Sequence, residues 1–211
     1  MRFLINHRLI RNYLRDHSTH KLHLGCGRNS LDGWLNSDQH PKSNNILRLN
    51  VTRRFPFEDK LFSYMFSEHM IEHLTYAQGT QMLKECHRIL KPNGRIRIST
   101  PDLSFLLGLY FDDRSDLQKQ YIEWATKTHV KNAPYYDATF VINNFVRDWG
   151  HQFIYDEPSL RFALEKAGFS EIVRCEFNAS EDVELQGLEN EARMPPGFLA
   201  LESLILEAIK K

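Results

Sequence analysis

Lys21-Leu22-His23-Leu24 runs straight into Gly25-Cys26-Gly27, and this apolar stretch ending in a glycine turn decides the fold class. Glycine takes unusual φ values and has no Cβ to clash, so a strand that feeds a glycine pair can bring bare backbone against a ligand. A lone G-x-G is also an ordinary turn. What adds to it is Asp38, at the end of the next strand candidate, 34–37. Open α/β sheets place an acidic side chain there to accept hydrogen bonds from ribose hydroxyls. The plain alternative is an exposed turn residue ahead of Pro41.

Further strand candidates follow at 46–49 and 62–67, separated by turn-forming or charged residues. Thr75-Tyr76-Ala77-Gln78 reads as a capping box, and Met82, Leu83, Cys86, Ile89 and Leu90 recur at helical spacing behind it. Lys91-Pro92-Asn93-Gly94 has the chemistry to end that helix, after which alternating Ile96 and Ile98 make 95–100 a strand. Pro158 suits the first turn of a later helix carried by Leu160, Phe162, Ala163 and Leu164 and closed by Gly168. The last strand candidates are 172–177 and 204–209, the second of which also fits a terminal helix. Upstream, residues 1–20 contain a helix candidate with Phe3, Ile10 and Leu14 on one face and arginines elsewhere. Such a stripe packs on a core, or else touches a membrane surface or partner.

At 211 residues the chain is expected to form a single domain, 1–211. Its 27 basic and 27 acidic side chains cancel, which gives no field to draw in nucleic acid. Cys26, Cys86 and Cys175 are scattered and odd in number, which fits a reducing, cytoplasmic setting and gives no zinc spacing. No stretch is apolar enough for a membrane span or a clean secretory signal. Residues 101–157 interrupt the strand and helix alternation and hold 12 of the 25 aromatic residues. That density suits a small helical core, a cover that gives a substrate pocket apolar walls, or both.

Leu24-Gly25-Cys26-Gly27, Gly33-Trp34-Leu35-Asn36-Ser37-Asp38, Phe55-Pro56-Phe57, Ser67-Glu68-His69, Glu72-His73-Leu74 and Arg88-Ile89-Leu90-Lys91-Pro92-Asn93-Gly94 together resemble the successive motifs of class I S-adenosylmethionine-dependent methyltransferases. The resemblance is to the type 11 group, some members of which are associated with bacterial glycan biosynthesis. It covers residues 21–100 well and 150–210 loosely. It implies a Rossmann-like α/β fold with a seven-stranded sheet, an antiparallel last strand and a helical insertion after the fifth strand. It also implies S-adenosyl-L-methionine as cofactor. Leu24, Gly25, Cys26 and Gly27 would then pass beneath the methionine part and Asp38 would hold the ribose. Asn50 and Val51 would meet the adenine, and Ser67 would line the sulfonium side. Three departures stand out: the third loop glycine is missing, Asn50 replaces a common aspartate, and only six residues separate Gly27 from Trp34. The usual first crossover helix must therefore shrink to about one turn or vanish.

Methyl transfer is an in-line displacement, so the protein must align the partners at roughly 3 to 3.5 Å and exclude water. A base is needed only when the acceptor is protonated. His69 is the first candidate, with His73 and His151 behind it. The alternative for Glu72-His73 is a loop-orienting role. His69, Glu72 and His73 also spell a metal-binding pattern, but no third ligand can be identified from sequence, so no metal is assigned. The expected function is methyl transfer to a small polar acceptor, such as a sugar hydroxyl or glycan precursor. The alternatives are a non-catalytic cofactor-binding partner module and an NAD-dependent oxidoreductase, the latter opposed by the missing third glycine.

Overall fold

The computed structural model describes residues 2–211, and side chains from residue 5 onward. The side chain of Phe3 thus lies outside the described residues. In chain order the elements are α1 (Arg2–Asp16), β1 (Lys21–Leu24), β2 (Leu35–Asp38), β3 (Leu47–Arg48), β4 (Phe62–Glu68), α2 (Tyr76–Ile89), β5 (Leu90–Pro101), α3 (Leu103–Gly108), α4 (Asp116–His129), α5 (Ala138–Arg147), α6 (Glu157–Ala167), β6 (Phe169–Arg174), α7 (Phe198–Glu202) and β7 (Ser203–Lys210). They build one seven-stranded sheet in the order β3-β2-β1-β4-β5-β7-β6. β7 runs antiparallel to both neighbours, whereas β1 to β5 pair in parallel. This is the expected Rossmann-like α/β fold, a seven-stranded sheet whose last strand runs antiparallel.

Register sets the site. Leu24 pairs with Ser37 on one side and Ser67 on the other, and Ser67 pairs with Ile98. Gly25, Asp38, Glu68 and Ser99 therefore emerge together along one carboxyl edge, where open α/β sheets bind ligands. The expected box at α2 and the expected Gly168 stop at α6 both form, and α6 adds a box of its own. Thr75 and Gln78 make a reciprocal box at α2, and Asp156 and Ser159 do the same at α6, which Gly168 closes at φ 102°.

Two local expectations change, and the open choice at 204–209 is decided. Lys91-Pro92-Asn93-Gly94 does not separate helix from strand, because β5 already begins at Leu90. The four residues form an irregularity inside it, with Asn93 at φ 62° and the pairing jumping from Phe62–Leu90 to Tyr64–Arg95. β6 spans Phe169–Arg174 rather than 172–177. Segment 204–209 is the strand β7 and not a helix, since its residues pair along both edges with β5 and β6.

The first crossover helix is absent: residues 25–34 form turns only. The sheet face it would cover still needs apolar cover. The β6–β7 connection supplies it, with Leu185 and Leu188 packed on Trp34 and Phe66. This connection is fastened by Arg97 of β5, which is fully buried. Arg97 donates to Glu189 (2.6 Å), to Glu207 (2.5 Å) and to the carbonyls of Ala179 and Glu176.

The main core lies between the sheet and its helices, around Leu22, Met65, Leu83, Ile96, Leu160 and Leu206. Ile10, Tyr13 and Leu14 of α1 join it, while Arg8, Arg11 and Arg15 stay exposed. A second cluster, including Leu106, Tyr121, Val141, Phe145 and Phe198, joins α3, α4 and α5 to α7. Residues 101–157 thus do have a core of their own. Among the described residues no helix is long and apolar enough to cross a membrane.

His23 is buried in β1, and its Nδ1 meets Asn36 Oδ1 at 3.1 Å. That oxygen also accepts from Leu31 N, so Nδ1 is the protonated nitrogen. Burial pushes the imidazole down to about 4, from an ordinary value of 6.5. The folded state resists protonating it, so its contribution to stability is complete above about pH 6.5 and is lost as pH falls toward 4. The loss is on the order of 3 kcal/mol. Urea unfolding without cofactor at pH 7.5 and 4.5 should show His23→Gln less acid-sensitive than wild type. Equal pH slopes would remove His23 from that account.

Candidate functional site

Two cavities meet at the carboxyl edge of the sheet. The smaller, about 260 Å³, is lined by His23, Gly25, Cys26, Gly27, Glu68 and Arg193, among others. The larger, about 420 Å³, opens between the sheet and the insertion, with walls from Tyr121, Trp124, Phe145 and Trp149. His69 and Arg193 line both. The aromatics of the insertion therefore bound a space instead of filling it.

The glycine turn needs its glycines. Gly25 sits at φ 66°, and a Cβ there would stand 2.3 Å from Met70 Cγ. Gly27 sits at φ 55°, and a Cβ on it would meet nothing within 4 Å, so open space lies above its backbone. A left-handed residue with a side chain costs roughly 1–2 kcal/mol. Cys26 N donates to Ser37 O, which ties the turn to β2.

Asp38 points back toward this turn. Its Oδ2 accepts from Gly27 N (3.0 Å) and its Oδ1 from His40 N (2.7 Å). Each carboxylate oxygen has two lone-pair sites, so capacity remains for hydroxyl donors. Ser67 is fully buried and its Oγ has no protein partner. Leu24 lies in the core beneath the turn. Asn50 caps its own loop, with Oδ1 accepting from Thr52 N and Oγ1. Val51 is buried beside it. Leu24, Asp38, Asn50, Val51 and Ser67 are not among the residues lining the smaller cavity, which covers the glycine turn and the end of β4.

His69 follows β4 with φ 45°, a left-handed value rare for residues other than glycine. Strain of this kind gathers at functional sites. The geometry turns the imidazole between two buried glutamates, with Nδ1 3.8 Å from Glu72 Oε1 and 3.9 Å from Glu202 Oε1. Its Nε2 lies 3.1 Å from Ser203 Oγ. Glu72 Oε2 accepts from Thr100, and Glu202 Oε2 accepts from Tyr121. Both Oε1 atoms have no protein partner. Burial pushes Glu72 up to about 8 and Glu202 up to about 7, and holds His69 well below its ordinary value. The cluster is tuned toward neutral side chains, a condition that favours proton transfer within it.

His73 and His151 also line the larger cavity, with ring centroids 5.0 Å apart. The structure thus gathers all three candidate histidines around one space. Sequence reasoning missed Glu68, Asn190, Arg193 and Glu202. Glu68 adjoins His69 and could have been flagged. The other three arrive from a segment more than a hundred residues downstream, with no local motif. Glu68 Oε1 accepts from Asn190 N (2.9 Å), and Oε2 lies 3.9 Å from Arg193 Nη1.

Residues 34–98 match the model of a family described as a methyltransferase domain. Among curated proteins no relative matches. Among solved structures, the chain is similar to a SAM-dependent methyltransferase from Archaeoglobus fulgidus, at 17% identity and TM-score 0.53, covering 100% of this chain and 95% of that one. It is similar to a SAM-dependent methyltransferase from Thermotoga maritima, described as a possible histamine N-methyltransferase, at 16% identity and TM-score 0.50, covering 99% and 93%. A possible exported protein from Bordetella parapertussis matches at 12% identity and TM-score 0.55, where 97% of this chain spans 66% of that one. At these identities the likeness is one of fold.

Proposed function

We propose, on the premise that this chain is a class I S-adenosylmethionine-dependent methyltransferase in its fold and its matched domain, that it methylates a small polar acceptor held in the larger cavity, with His69 at the point of transfer. The observation that carries this is the sharing of His69 and Arg193 by the two cavities. A donor in one and an acceptor in the other would face each other there.

The smaller cavity suits the methionine part of the cofactor. It offers bare backbone at Gly25 to Gly27, with a carboxylate at Glu68 and a guanidinium at Arg193 to complement the α-ammonium and α-carboxylate. Asp38, on the neighbouring strand, would hold the ribose through its remaining lone pairs, and Asn50 with Val51 would border the adenine. When bound, S-adenosylmethionine supplies the electrophilic methyl group. The chain's own part is to align an acceptor and take its proton. With Nε2 held at Ser203, His69 presents Nδ1 to accept that proton.

The acceptor is read as a hydroxyl of a sugar or glycan precursor. Aromatic faces at Trp124 and Trp149 suit a sugar ring, and Thr128 and Asn144 supply polar contacts. An amine is the second reading, favoured by the unpartnered oxygens of Glu72 and Glu202 beside those aromatic faces. Transfer from labelled cofactor into sugar-nucleotide and amine pools separates the two.

Thermal shift with S-adenosylmethionine, its demethylated product and NAD tests the premise. A ligand at a hundred times its Kd should stabilise by about 2.7 kcal/mol. Stabilisation by NAD alone would overturn it. Asp38→Ala should weaken cofactor binding by about 100-fold in calorimetry, since each hydrogen bond to a charged group contributes about 1.5–3 kcal/mol. Unchanged affinity would remove Asp38 from the ribose site.

A further inference from the structure

We infer that Glu72, His73 and His151 form a divalent transition-metal site on the wall of the larger cavity. Their ligating atoms, one from each side chain, all lie within 4.8 Å of one another. Sequence supplies only Glu72 and His73, neighbours in the turn after β4. The third ligand comes from the far end of the insertion, 78 positions along the chain, and folding alone delivers it.

Three observations make this a built site. Glu72 is fully buried, and its Oε1 has no hydrogen-bond partner. That atom lies 3.9 Å from His73 Nε2. A buried carboxyl oxygen left without a partner among imidazoles calls for a cation or a donor. Next, the His151 tautomer is set: Nδ1 lies 2.7 Å from Phe145 O, a carbonyl that can only accept, so Nδ1 carries the proton and Nε2 keeps its lone pair. A ring N–H donated to a backbone carbonyl is the usual outer support of a metal-binding histidine. Finally, His73 Nδ1 faces Gly150, which leaves Nε2 as the nitrogen turned toward Glu72. A metal at about 2.1 Å from each ligand needs them roughly 3.4 Å apart, which rotamer adjustments of about an ångström reach.

Two imidazoles and a carboxylate suit Zn²⁺, Fe²⁺, Co²⁺ or Mn²⁺ better than the harder Mg²⁺ or Ca²⁺. All three ligands line the cavity, so the remaining coordination positions face the space assigned to the acceptor. The role of the metal rests on that assignment: it would bind an acceptor oxygen and ease loss of its proton to His69. Metal binding itself does not depend on the assignment.

The test uses the full chain, stripped with chelator and titrated with Co²⁺. One equivalent should bind with visible d–d absorption and a raised melting temperature, and Zn²⁺ should displace it. Glu72→Gln and His151→Asn should each weaken Co²⁺ binding at least tenfold, while His129→Asn, a cavity histidine outside the cluster, should not. Because Glu72 is buried and its variant can fail to fold, His151→Asn, checked by circular dichroism, decides the matter. Absence of the cobalt spectrum in wild type, or its retention in folded His151→Asn, overturns the site. Calorimetry with S-adenosylmethionine on the same samples keeps the two claims apart. Cobalt binding without cofactor binding leaves the metal site standing and removes the methyl-transfer reading; cofactor binding without cobalt does the reverse.

Discussion

Replacing Arg97 with methionine should lower the melting temperature by about 10 °C and weaken cofactor binding in the same variant. The guanidinium is fully buried between Glu189 and Glu207 and also satisfies two backbone carbonyls. Removing it leaves two carboxylates in an apolar setting without their counter-charge, a loss of about 3–5 kcal/mol. In a domain of this size each kcal/mol shifts the midpoint by about 2–4 °C. The coupling to function is positional. Glu189 immediately precedes Asn190, whose N–H holds Glu68 in the smaller cavity, and the same connection covers the face left open by the missing helix. Adding Glu189→Gln to Arg97→Met should recover part of the lost stability, because one orphaned charge is removed. A midpoint within 2 °C of wild type, by calorimetry or circular dichroism, would show that Arg97 does not clamp this segment.

His69→Asn should reduce single-turnover methylation by about 10²–10⁴-fold, the usual contribution of a positioned general base, and leave cofactor affinity within about threefold. Asparagine is the informative replacement because it tolerates the left-handed backbone at this position better than alanine. The loss then reports the imidazole and not a strained loop. The same variant should keep its melting temperature to within a few degrees, since the ring makes one side-chain hydrogen bond, to Ser203. Rapid-quench transfer from labelled cofactor and calorimetry with the demethylated product give the two readouts. Equal losses in both would make His69 a wall of the donor cleft and return the role of base to His73 or His151.

Much of the architecture is local and therefore legible in the chain. The strand that runs into Gly25, the Thr75–Gln78 box, and the Pro158 and Gly168 signals around α6 each act within a few residues, where backbone sterics and capping decide the outcome. The short link from Gly27 to Trp34 likewise rules out a long first crossover helix by chain length alone. The register of β1 against β2 and β4 then follows from buried faces that cannot slip by one residue.

Other features depend on which distant segments meet. Nothing near Arg97 announces that Glu189 and Glu207 will bury its charge, and nothing near His69 announces Glu202. Whether Lys91-Pro92-Asn93-Gly94 ends a helix or bends a strand depends on the edge of β4 beside it. The aromatics of the insertion could have filled their own core or walled a cavity, and at composition level the two are identical. Amino-acid order by itself determined the strands beside the glycine turn, the α2 cap, the turn itself and the carboxylate on β2, because those rest on near-neighbour chemistry. Tertiary structure decided the cover over the exposed face, the pairing of the two cavities at His69 and the arrival of His151 beside Glu72, because burial and charge pairing act between residues that only the folded chain brings within a few ångströms.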